Sequence, residues 1–257
     1  MNQEINTDNK KNKEIKTKKE RKKREVKCLD KYYFDSLNIH EIGIDEAGRG
    51  PMFGRVYTAA VILPKDDTFN HSLMKDSKKF TSTKKIKEAA DYIKNNALNW
   101  SISYATEKEI DNINIRNATH LAMHRAINKI LYQRISNNNI DVDDYFLLVD
   151  GRDFKPFTMI RNNDNNNDNE SKIEQIANIC IEGGDNKYSS IAAASILAKV
   201  ARDEYIEELC KQDDRLNIRY GILKNKGYGT AEHMNGIKTY GITENHRKTF
   251  GLCKDYI

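Results

Sequence analysis

GIDEAGRGPMFGRVYTAAVILP, residues 43–64, is the stretch on which the fold turns. Two β-rich runs, HEIGIDEAG at 40–48 and GRVYTAAVILP at 54–64, flank a glycine-rich break, a pattern that predicts two neighbouring antiparallel strands. Two acids, Asp45 and Glu46, precede the break and are followed by Gly48, Arg49 and Gly50. Neighbouring side chains on a regular strand point to opposite faces, so the two acids share one site only where the strand ends or bulges. Gly48 and Gly50 permit such an ending.

Outward from there, NWSISYATEKEID (99–111) supplies a third strand. Before it, residues 76–97 carry Ile86, Ala89, Ala90 and Ile93 at helical spacing behind serines. Residues 109–135 repeat that spacing with Ile110, Ile113, Ala118, Leu121, Ala122, Ile127 and Ile130, predicting one long helix or a pair. YFLLVDG (145–151) reads as a buried strand stopped by an acid and a glycine, and IANICIEGGD (176–185) as a strand into a tight turn. RNNDNNNDNES (161–171) is low-complexity polar sequence with nothing to pack, expected as a loop insertion. SSIAAASILAKVARDEYIEELC (189–210) is a small-residue helix able to lie close against a sheet, and TAEHMNGIKTYG (230–241) a last helix between a threonine cap and a glycine. No internal repeat is present.

A chain of 257 residues with 38% hydrophobic content can fill one large core or two small ones. The net charge of +5 is unevenly placed: residues 1–27 hold 11 of the 43 bases and 5 of the 38 acids, so the remainder is close to neutral at about −1. Those 27 residues have almost no apolar side chains and read as a disordered basic tail ahead of a 28–257 domain, solvated or touching phosphate or a localisation receptor. Cys28, Cys180, Cys210 and Cys253 are far apart, and no apolar run has membrane-spanning or signal-peptide character. An intracellular, cytoplasmic protein is expected, with nuclear targeting by the tail left open.

Asp150 follows the apolar run 145–149, where a buried strand surfaces, and Asp203 lies on the helical stripe Ala192, Ile196, Lys199, Asp203. Were Asp45, Glu46, Asp150 and Asp203 to converge, each pair 4 Å apart would cost about 4 kcal/mol at an effective dielectric near 20. Positive charge must then sit among them, and oxygen ligands without a Cys/His set point to Mg²⁺ or Mn²⁺. Spacing alone leaves the other arrangement open: Asp45 and Asp150 capping turns, Glu46 solvated, Asp203 paired with Arg202 or Lys199.

The blocks GIDEAGRGPMFGRVYTAAVILP, DSKKF (76–80), LLVDGRDF (147–154), GGDNKYSSIAAASILAKVARDEY (183–205), NKGYGTAEH (225–233) and GITENHRKTF (241–250) resemble, in order and spacing, ribonuclease HII, the type 2 ribonuclease H family. The resemblance runs from about residue 42 to 250. It implies an RNase H-like α/β fold, a mixed five-stranded sheet flanked by helices with a helical C-terminal extension. It implies that Asp45, Glu46, Asp150 and Asp203 bind two divalent cations. It implies RNA–DNA hybrid, or DNA containing ribonucleotides, as substrate, cut by an endonuclease that leaves 5′-phosphate and 3′-hydroxyl ends. By the same resemblance Gly48, Arg49 and Gly50 read the ribose 2′-OH and Tyr228 packs on the sugar. Lys78, Lys79, Lys187, Ser189, His246 and Arg247 fall in matching blocks as phosphate contacts. Arg55, Tyr188 and Ile242 depart from the usual family residues, and the Asn-rich insertion is extra.

Rival readings fare worse. GRGPMFG lacks the GxGxxG spacing of a dinucleotide loop, and Pro51 interrupts it. His120 and His124 have zinc-pair spacing, but Leu121 stands where a metalloprotease needs glutamate. Ribonuclease HIII carries threonine between its glycines, against Arg49 here. A non-catalytic nucleic-acid-binding protein is opposed by acids that, without metal, repel phosphate. No Gln-then-aromatic terminal peptide for a sliding clamp is seen, and a monomer is expected.

Overall fold

The computed structural model of the chain describes residues 28–135, 142–162 and 171–257. The basic tail at 1–27 lies outside them, as do residues 163–170 of the Asn-rich segment. Strand β1 (His40–Ala47) pairs antiparallel with β2 (Val56–Ile62), and β2 antiparallel with β3 (Asn99–Ala105). On its other side β1 runs parallel to β4 (Tyr145–Asp150), which is parallel to β7 (Ala177–Ile181). The mixed sheet of order β3-β2-β1-β4-β7 is the five-stranded sheet expected.

Alternation along the strands feeds two cores. Ala59 and Val61 face helices α1 (Thr83–Asn96) and α3 (Ser189–Gln212), packing on Ile86, Ala90, Ile93 and the alanines of α3. Ile42, Ile44, Ala60 and Ile62 face α2 (Glu107–Ile135), meeting Met123, Ile127 and Ile130. The long helical reading resolves into a pair: the backbone breaks at Asn114 (φ 65°, ψ 162°), whose side chain accepts from the Asn117 amide and starts the second segment.

The approach of α3 to the sheet is set by Gly43. A Cβ there would stand 2.2 Å from the carbonyl carbon of Ser190 and 2.5 Å from the Ile191 nitrogen. Only a residue without a side chain lets the first turn of α3 lie on β1.

A third core carries the C-terminal extension. Helices α4 (Arg215–Tyr220), α5 (Ile222–Asn225) and α6 (Ala231–Tyr240) pack Leu216, Tyr220, Ile222 and Ile237 on Met52, Phe53 and the end of α3. The short α4 and α5 were not anticipated from the sequence. Nor was the small sheet of β5 (Thr158–Asn162) and β6 (Ser171–Gln175). The expected loop at 161–171 is therefore narrower: Arg161, Asn162 and Ser171 end paired strands. Their polar side chains hid a ribbon held by backbone hydrogen bonds, which carry no compositional mark.

Candidate active site

The parallel pairing of β1 with β4 ends at Ile44 opposite Val149, so Asp45 and Asp150 stand at neighbouring carboxyl ends, just past the last paired residues. That end of a parallel pair is where α/β folds place ligands. A cleft of about 430 Å³ opens there, lined by Asp45, Glu46 and Asp150 and by the loop of Gly48, Arg49 and Gly50. Tyr228, Lys78, Lys199, Lys224 and Lys226 complete its walls.

The acids are held by short local contacts. Asp45 accepts from the Glu46 amide at 2.6 Å and from the Ser195 hydroxyl, which itself lies 3.0 Å from that of Ser77. Asp150 accepts from the Gly184 amide at 2.7 Å, and Glu46 from Arg49 at 3.3 Å. Burial pushes the Asp45 carboxyl well above the usual carboxylate range, and the charges of Glu46 and Asp150 push it further. Burial also raises Glu46, against the pull of Arg49. No cation is among the groups that act most strongly on the Asp45 carboxyl.

Asp203 does not join these acids. It is absent from the cleft wall and bonds Lys199 one helical turn back, the pairing that spacing alone had left open. Asp185, a residue not expected from the sequence, is also outside the cleft lining but lies close enough to Asp150 for their charges to interact. Burial raises the Asp185 carboxyl, and Asp76 and Asp150 raise it further while Lys78 opposes them. An acid behind two glycines at a strand end, the logic that picked out Asp150, was the available signal.

Among the described residues no three His, Cys, Asp or Glu side chains are closed into a metal cage. The oxygen-only donors at Asp45, Glu46, Asp150 and Asp185 suit a hard divalent ion by their chemistry.

The other predicted contacts divide by burial. Gly48, Arg49, Gly50, Tyr228 and Lys78 line the cleft. Tyr228 is 52% exposed, its ring edge 3.4 Å from where a Gly50 Cβ would be. Lys79 and Lys187 are exposed but outside the lining, and Lys79 bonds Asn186. Ser189, His246 and Arg247 depart from the expected phosphate contacts: all three are buried and cannot meet a phosphate. Charged or polar letters in a motif block do not say which way they face.

His246 works inside the third core. His233 Nδ1 donates to the Tyr228 carbonyl at 3.0 Å, leaving Nε2 to accept from His246 Nε2 at 3.1 Å, while His246 Nδ1 accepts from the Thr243 amide at 2.9 Å. Both rings must be neutral for this chain to run. Burial lowers both, and with the neighbouring His233 it brings His246 down to about 3. A depressed folded value means this stability is complete above about pH 6.5 and is lost as pH falls toward 3, by about 3 kcal/mol at pH 4 for His246 alone. Urea midpoints measured from pH 7 to 4 check it: His246→Leu should flatten the slope by about one proton, and an unchanged slope would remove His246 from the effect.

Residues 42–253 match the family model described as Ribonuclease HII. The chain belongs to the ribonuclease HII family. It is thereby a ribonuclease, a phosphodiester hydrolase of a family that uses divalent metal ions. The Ribonuclease HII of Porphyromonas gingivalis is 40% identical over 222 residues, covering 86% of this chain and 93% of its own. The ribonuclease H2 of Pyrococcus horikoshii shares the fold at TM-score 0.61 and 20% identity, over 85% of this chain and 97% of its own. A Bst-RNase HIII solved in complex with Mn²⁺ shares it at TM-score 0.58 and 18% identity, over 85% of this chain and 69% of its own. Ribonuclease HII membership sets aside the dinucleotide, metalloprotease and non-catalytic readings together.

Proposed function

We propose that the cleft cuts the RNA strand of RNA–DNA hybrids and nicks DNA on the 5′ side of an embedded ribonucleotide, serving removal of RNA primers or misincorporated ribonucleotides. The observation that carries this reading is the meeting, in one cleft, of Asp45, Glu46 and Asp150 with the loop 48–50 and Tyr228. Asp45, Glu46, Asp150 and Asp185 would hold a pair of divalent cations, Mg²⁺ or Mn²⁺. Held there, the ions would supply activation of a water and charge to steady the leaving 3′ oxygen, chemistry that would leave 5′-phosphate and 3′-hydroxyl ends.

The remaining residues bind and sort the substrate. Bare backbone at Gly48 and Gly50 lets a sugar approach, and the half-exposed Arg49 is free to leave Glu46 for a phosphate. The Tyr228 ring offers an apolar face to the sugar beside the cut. Lys78, Lys199, Lys224 and Lys226 supply the positive charge that a nucleic-acid backbone requires. The cleft is complete in one chain, which supports action as a monomer. Four free cysteines fit a reducing intracellular compartment, and among the described residues no helix is long and apolar enough to cross a membrane.

The test is a DNA duplex with one embedded ribonucleotide beside an all-DNA control, in Mg²⁺, Mn²⁺ or chelator. One cut 5′ of the ribonucleotide is expected, absent in chelator, with a preference of about 10⁴-fold or more, as for sites built around a hydroxyl. Equal nicking of both duplexes would remove the sugar-reading role of the loop.

A further inference from the structure

The loop 48–55 is wound around two buried guanidiniums. Arg247, 0% exposed, donates Nη2 to the Gly48 carbonyl at 2.6 Å, Nη1 to that of Arg49 at 3.0 Å and Nε to that of Gly54 at 2.7 Å. Arg202, 3% exposed, lies against Gly48 and donates to the carbonyls of Phe53 at 3.2 Å, Arg55 at 3.3 Å and Lys226 at 2.9 Å. Gly48 has φ +96°, and a Cβ on it would fall 2.1 Å from Arg202 Nε. Neither guanidinium has an ion-pair partner among the described residues. Two like charges buried on carbonyls are costly even with Glu107 and Asp111 acting on Arg247 and Asp203 on Arg202, and an apolar filling would be cheaper if filling were the need.

Capturing a carbonyl also fixes a peptide plane. A trans peptide is flat, with the C=O of one residue and the N–H of the next on opposite sides, and the chain has no cis bond among the described residues. Drawing the Gly48 and Arg49 carbonyls down onto Arg247 turns the N–H groups of Arg49 and Gly50 away from it, and both residues line the cleft. Neither amide donates to another group among the described residues.

We propose that Arg247 is a positioning residue for sugar recognition: by holding the Gly48 and Arg49 carbonyls it fixes the Arg49 and Gly50 amides as two donors aimed at the ribonucleotide. This rests on the reading of the cleft given under Proposed function. Arg247 reaches the substrate only through those two peptides. Lysine cannot replace it, because one ammonium does not span three carbonyls as a planar fork does.

The experiment compares the full chain with Arg247→Lys and Arg247→Met, at a temperature where circular dichroism shows each folded. KM and kcat are measured on the single-ribonucleotide duplex, and Ki for an uncleaved all-DNA duplex as competitor. A mere loss of folded enzyme lowers kcat and leaves KM and Ki alone. The proposal expects KM to rise about tenfold or more in both variants, with Ki unchanged within about twofold. An unchanged KM, or KM and Ki rising together, overturns it. Cleavage of the all-DNA duplex by the unsubstituted enzyme would instead break the cleft reading. Should neither variant fold, amide resonances of the unsubstituted protein decide. In chelator, those of Arg49 and Gly50 must shift with the ribonucleotide duplex and not with the all-DNA duplex; equal shifts overturn the proposal.

Discussion

Asp45→Asn is expected to lower cleavage of the single-ribonucleotide duplex by about a thousandfold, close to 4 kcal/mol of transition-state stabilisation. Asparagine has the same shape and keeps an oxygen for the Ser195 hydroxyl, so what is lost is charge. That charge is the strained part of the site: burial and the neighbouring acids raise the Asp45 carboxyl above its unfolded value. Stability from such a group falls as pH rises through that window, and at neutral pH the ionised form burdens the fold. In chelator the variant should therefore melt a few degrees higher than the parent while cutting far more slowly, the trade of stability against function common at active sites. Steady-state cleavage and calorimetry check the two halves. Activity within tenfold of the parent would remove Asp45 from the metal-binding set.

Gly43→Ala is the larger structural perturbation, with an expected loss of about 3 kcal/mol or more. The new methyl would meet the Ser190 carbonyl and the Ile191 nitrogen, which are backbone atoms of α3 and cannot rotate aside. Relief requires moving a helix that packs across β1 and β2 and carries Ser195, the hydrogen-bond partner of Asp45. Stability and activity should fall together. A urea midpoint that moved by less than about half a kcal/mol would show that α3 slides on the sheet.

The architecture was legible in the sequence because its signals are local. The alternation in β1 and β2, the small-residue stripe of α3 and the acid that stops β4 each identify an element by periodicity. The site was legible to the extent that strand ends define it, which is how Asp45 and Asp150 were found. Asp203 differs: the resemblance implied that it joins the other acids, whereas its helical stripe says only that it faces inward, and one of its oxygens meets Lys199. Ser189, His246 and Arg247 were misread for a related reason. Polar residues are usually outside, and only the packed third core shows that His246 and Arg247 brace Tyr228 and the glycine loop from within.

That brace spans nearly the whole chain, since Arg247 holds the Gly48 carbonyl from 199 residues away. During synthesis, the strand bearing Asp150 leaves the ribosome long before residue 247 does. On the proposed role of Arg247, the glycine loop takes its final shape only when the C-terminal end of the chain has been made. A chain cut short before Arg247 would lack that hold on the Gly48 carbonyl.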